Sequence, residues 1–207
     1  MPLSLLKLVR FIVPAALILV YAKLLGWMTD LWTTTLPDFE KAAYLPVVVT
    51  PAVLYYITPF REWTNAYHHK RITDRLREGL VKITGYPDRK DCYTWEKLRP
   101  LFFSLVDSDE SLKQKANLAY ANGAIWTSFA DSTILALLFF LISMLLFYLK
   151  IDEAFPAGMI FLLIAVFSFF GSVACTSRQI NIGAEQLEII DFKHKADVEK
   201  RLNALDR

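Results

Sequence analysis

Four apolar runs, Phe11–Met28, Ala42–Phe60, Ser132–Leu149 and Ala154–Ser177, constrain what this chain can fold into. The last three contain no charged side chain, and the first contains only Lys23. Backbone N–H and C=O groups find no water in hydrocarbon, so such a run must satisfy them within its own helix. A bilayer core about 30 Å thick takes about 20 apolar residues in helix, range about 17–25, and all four runs meet that length. The expected fold class is therefore all-α: a membrane protein with four transmembrane helices and helical cytosolic extensions. Residues 1–60 are expected to hold spans at about 11–28 and 42–60, and residues 132–177 spans at about 132–149 and 154–177. Between them lies a helical cytosolic module at 61–131, and residues 178–207 follow as a cytosolic C-terminal helix.

Charge sets the expected orientation. Of the 23 Lys and Arg residues, 20 fall in residues 1–10, 61–131 and 178–207. Lys and Arg resist translocation, so basic-rich segments stay cytoplasmic whatever their acidic content. The connection 29–41 carries Asp30, Asp38 and Glu40 against Lys41, and the turn 150–153 carries Lys150, Asp152 and Glu153. Both termini and the 61–131 module are thus expected in the cytoplasm, at the plasma (inner) membrane if the chain is bacterial. Trp27, Trp32, Tyr44 and Tyr148 mark the outer interface and Tyr55, Tyr56, Trp63 and Trp126 the inner one, because amphipathic rings prefer the headgroup level. A secretory signal with cleavage after Val20-Tyr21-Ala22 is the rival reading of the start. The apolar stretch continues through Leu24 to Met28, which favours an uncleaved first span.

Composition narrows the function classes. A net charge of +2 gives no concentrated basic stripe of the kind a nucleic-acid surface needs. Cys92 and Cys175 both fall on the expected reducing side, so no disulfide is expected. Ile72, Leu76, Leu80 and Ile83 recur at helical spacing and predict an amphipathic helix over about 62–84, ended by Gly85-Tyr86-Pro87-Asp88. Trp95, Leu98, Phe102 and Leu105 form a second, shorter apolar face. Asp107 and Glu110 have capping-box spacing. From Ser108 to Lys150 no proline occurs, so a single helix of about 60 Å is expected there. In the tail, Leu187, Ile190, Val198, Leu202 and Leu205 share a face with a gap around His194. These faces must be buried against each other or against a partner. Leu76 and Leu80 are the expected docking positions.

Polar side chains in the spans are the other candidates. Lys23 lies four residues from Trp27 and is expected to snorkel to the outer interface. Asp131 opens the third span among Thr127, Ser128 and Ser132, either as a solvated edge group or paired with Arg61 or Arg178. The fourth span carries Ala165, Ser168, Gly171, Ser172, Cys175 and Thr176. Small residues at this spacing let helix backbones approach closely, and the same stripe would suit a polar pore; packing is the preferred reading. Pro46 and Pro51 predict a kinked second span.

Enzymatic constellations are largely missing. His68 and His69 point about 100° apart on a helix and make a poor chelating pair, since two ligands on one face need i, i+4 spacing. They are expected as interfacial or surface groups. No phosphate-cradling glycine loop, Gly-x-Ser-x-Gly or His-Glu-x-x-His occurs. No catalytic residue, cofactor or metal ligand is therefore nominated. The expected function is a non-enzymatic, homo-oligomeric membrane scaffold or effector whose cytosolic helices bind or sense a soluble protein. Its expected partners are the lipid bilayer, further copies of itself and that protein, with no direct nucleic-acid binding. The alternative is an oligomeric channel or membrane-permeabilising effector, the defence or toxin type included; a lipid-acting enzyme ranks below both.

Overall fold

The computed structural model describes residues 3–31, 50, 53–55, 57–85 and 93–205. Among these residues the chain is helical, without a strand. The helices are α1 (Leu3–Thr29), α2 (Pro59–Ile83), α3 (Trp95–Ser108), α4 (Glu110–Tyr148) and α5 (Ala154–Leu205). Three of them, α1, α4 and α5, are long and apolar enough to cross a membrane. That is one fewer than the four runs suggest. The second run, 42–60, lies mostly outside the described residues, with its prolines Pro46 and Pro51.

Helix ends follow local chemistry. Gly85, at φ +76°, closes α2 by donating its N–H to Lys82 O. Glycine adopts that left-handed conformation at no steric cost. Asp109 sits between α3 and α4 in extended backbone and caps α4, its Oδ1 accepting Ser111 N at 2.8 Å and Leu112 N at 3.1 Å. The capping box expected at Asp107 and Glu110 is displaced, because Asp107 still belongs to α3 and the first free N–H groups follow residue 109. After α4, Lys150 N binds Phe147 O and Ile151 N binds Leu146 O, with Lys150 at φ +72°. This is a Schellman closure with lysine where glycine usually stands. The span and the C-terminal helix expected as separate elements are one helix, α5, of 52 residues. Pro156 lies in its first turn, where a missing N–H costs nothing, and no later proline interrupts it.

The chain divides into two compact units, residues 1–65 with 124–174 and residues 66–123 with 175–207. In the first, Tyr21 and Leu25 of α1 meet Leu135, Ala136 and Phe139 of α4 and Ala157, Phe161 and Ala165 of α5. Tyr21, Phe139 and Phe161 form a three-ring contact with centroids 5.3–5.7 Å apart. Its outward side chains are apolar too: Leu141, Leu145, Leu163, Phe167 and Phe170 are all more than half exposed. Helices apolar on every side belong in a large core or in lipid.

The second unit closes a core of its own. Ile72, Leu76, Leu80 and Val81 of α2 pack with Leu98, Phe102 and Leu105 of α3, Leu112 of α4, and Ile190, Val198 and Leu202 of α5. Gly79 and Gly183 let α2 and α5 approach, since a Cβ at Gly79 would collide with Leu187 and one at Gly183 would lie 3.0 Å from Leu76 Cδ2. Leu80 is fully buried and Leu118, in the same unit, is 50% exposed. Leu80→Ala should therefore cost about 2–5 kcal/mol through lost contacts and the cavity left behind. Leu118→Ala should stay within about 0.5 kcal/mol. Denaturation followed by helical circular dichroism in detergent distinguishes the two; equal losses would contradict this packing.

Candidate functional site

The polar side chains of the apolar unit converge on its interior. Ser132 of α4 lies 2.7 Å from Tyr21 Oη of α1 and 2.7 Å from Ser168 Oγ of α5, so three hydroxyls link three helices. Beside it in sequence, Asp131 is 1% exposed and accepts the Tyr55 hydroxyl at 3.0 Å. Thr127 and Ser128, one turn earlier, return their hydroxyls to Ala124 O. A carboxyl group buried in an apolar setting is costly unless it is hydrogen-bonded, so Asp131 depends on such partners. The solvated-edge position expected for it does not occur, because the face of α4 that carries it turns into the unit rather than outward. Arg61, one of the two arginines expected beside it, has its side chain outside the described residues.

The small-residue stripe of α5 is used in packing. Gly171 lies under the Phe129 ring of α4, where an added Cβ would stand 2.8 Å from ring carbons, and Ser172 is buried. Gly158 faces Met144 and Ser143 in the same way. Lys23 is exposed on the outward face of α1, between Val20 and Trp27, and takes no part in the hydroxyl chain.

In the second unit, Leu76 and Leu80 belong to the core described above rather than to an open docking face; Leu80 is fully buried, and Leu76 reaches only the edge of a recess between α2 and α5. α3 and α5 occupy the position expected for a partner. His68, expected at a surface, is buried at 7% exposure, its Nδ1 3.0 Å from Thr176 Oγ1. His69 is exposed. Burial pushes the His68 imidazole below its ordinary pKa, and the Arg71 guanidinium acts in the same direction. Asn122 donates to Cys175 O at 2.8 Å and to Gln179 Oε1 at 2.9 Å; the Cys175 side chain is half-buried. Cys92 lies outside the described residues.

Asp109 forms a second polar centre. Lys193 Nζ lies 3.0 Å and His194 Nε2 3.3 Å from its Oδ2. The Lys193 contact, then the Leu112 N–H, hold the carboxyl well below the usual carboxylate range. Among the described residues no group of three His, Cys, Asp or Glu could hold a metal ion. Comparison with protein families, curated proteins and solved structures finds no match to this chain.

The residue pattern did not nominate Tyr21, Tyr55 or Ser132. One signal is present: Tyr55 marks the inner interface, and Asp131 opens the third span beside Trp126, which marks the same interface. Tyr21 carried none, being part of a possible cleavage site.

Two measurements follow from this geometry. Gly171→Leu and Ser172→Leu should lower thermal stability, by about 1–3 kcal/mol each, because the added volume meets Phe129 or a filled interior. Unchanged melting of both variants in detergent would mean that this face of α5 is open. His68 sets an acid limit. With the folded pKa lowered from about 6.5, the unfolded state takes a proton that the folded state refuses. The stability from neutral His68 is complete above pH of about 6.5 and declines as pH falls through the folded-state value. The melting temperature should drop as pH falls below about 6.5, and His68→Asn should flatten that slope. An identical slope in the variant would remove His68 from the account.

Proposed function

We propose that this chain is a four-span membrane protein with both termini and residues 61–131 in the cytoplasm, acting as a non-enzymatic, self-associating scaffold or effector. Its helical second unit is the part offered to a soluble protein. The observation that carries this reading is where the polar side chains of the apolar unit go. Tyr21, Ser132 and Ser168 bond to one another within one copy, Tyr55 bonds to Asp131, and the outward faces of α4 and α5 are leucine and phenylalanine. A pore assembled from several copies would need polar groups on an outward face, and the contact of Gly171 with Phe129 favours packing within one copy. The pore reading draws its support from Asp131, since an ionisable group buried in an apolar helix is a functional-site hypothesis by default.

Topology and flux test the proposal together. Single cysteines at Asp38 and Asp152 should label with an impermeant reagent in intact cells, and native Cys92 only after lysis. Purified protein in liposomes should pass no more ions than empty vesicles. Cys92 labelling before lysis overturns the orientation. Steady flux that is lost in Asp131→Asn overturns the scaffold and establishes the pore.

A further inference from the structure

The second unit carries an apolar notch and an apolar knob that its own fold cannot bring together. The notch, about 130 Å³, lies between α2 and α5 and is lined by Ile72, Leu76, Gln179, Gly183, Ala184 and Leu187. It is several times the ~30 Å³ share of one water molecule, enough for a single large side chain and too small for a helix. Arg75, its side chain 70% exposed and 3.6 Å from Glu78, stands on its rim, and exposed Arg71 lies one turn away on α2. The knob is Phe192 of α5, 89% exposed in a stretch otherwise rich in charge. Glu188, exposed, lies one turn before it on the same face. Lys195, one turn after it, is 4.0 Å from Asp191.

Nine residues separate Gly183 from Phe192. At about 100° per residue they point to opposite sides of α5, so a copy cannot fill its own notch. We propose that Phe192 of one copy seats in the Ile72–Leu76–Gly183–Leu187 notch of the next, with Glu188 facing Arg75. The charges complement each other: the Glu188 carboxylate accompanies the knob, and Arg75 on the rim, with Arg71 a turn away, outnumbers the Glu78 carboxylate beside it. Copies standing parallel in one membrane present Phe192 and Gly183 on opposite sides of α5, so the contact is head-to-tail and builds rings or open filaments rather than a two-fold dimer. A single aromatic anchor is a small interface, and confinement of the copies to one membrane raises their effective concentration enough for it to select the register. The inference rests on the self-associating scaffold proposed above and names its contact.

The test uses full-length protein in native membranes. Two differently tagged copies, one Phe192→Cys and one Ala184→Cys, are co-expressed with Cys92 and Cys175 replaced by Ser, and treated with a short bis-maleimide. The mixed pair should cross-link, and neither variant should cross-link to itself. In the same membranes, Phe192→Ser should lower the ratio of associated to free copies at least about tenfold, the effect expected for leaving one Phe unburied. Arg75→Glu should weaken association, and adding Glu188→Arg should restore it. Phe192 and Arg75 are exposed, so these changes leave the core intact. Association unaffected by Phe192→Ser, without a mixed cross-link, overturns the notch contact and leaves the scaffold standing. A dominant 192–192 cross-link overturns it in favour of a symmetric pairing. Wild-type protein that is monomeric in membranes overturns both.

Discussion

The apolar unit depends on the serine at its centre. Ser132 holds hydroxyls from both neighbouring helices at 2.7 Å. Packing of side chains does not by itself select partners in lipid, because acyl chains are as apolar as leucine. Hydrogen bonds between helices, and small residues that bring backbones together, supply the selection. The hydroxyl chain runs through Tyr21, Ser132 and Ser168. Gly171 against Phe129 and Gly158 against Ser143 fix the spacing of α4 and α5 on either side of it. The three-ring contact of Tyr21, Phe139 and Phe161 then fills the space that the small residues leave. Polar bonding and aromatic packing meet in one residue, Tyr21.

The second unit solves a different problem with the same helices. Its core forms in the ordinary way, by burying leucine and phenylalanine away from water, each side chain worth roughly 1.5–3 kcal/mol. Two histidines interrupt rows of apolar residues at four-residue spacing. His68 precedes Ile72, Leu76 and Leu80, and His194 lies between Ile190 and Val198. Each ends on a polar partner, Thr176 for His68 and Asp109 for His194. Asp109 thereby does two jobs, capping α4 with one oxygen and meeting α5 with the other.

Helix content and the three apolar helices were legible because hydropathy and length act locally. The limits of α2 and α4 were legible within a few residues, since Gly85 and the run without proline are local signals. The unbroken α5 was less so. The change from apolar to charged composition near Ser177 looks like a boundary, but composition does not stop a helix; only a capping signal or a proline does, and none is there. The gap at His194 looked like a loss of pattern for a related reason. A histidine on an apolar row counts against periodicity until its carboxylate, Asp109, is known, and that partner is 85 residues away.

Candidate sites were legible by residue type and not by partner. Ser168 and Ser172 are buried and Gly171 lies against Phe129, yet nothing in the spacing of this stripe identifies Tyr21, Ser132 or Phe129 opposite it. The docking face at Leu76 and Leu80 shows the same limit in reverse. An amphipathic helix announces that it will be covered, and the cover is chosen by where the rest of the chain goes. Here α3 and α5 supply it, and what they leave is the shallow notch over Gly183 and Ala184. A notch of this kind arises wherever two helices meet at small residues with no large side chain above them. Its depth is set by the glycine that permits the close approach, so the residue that tightens α2 against α5 also shapes this recess between them.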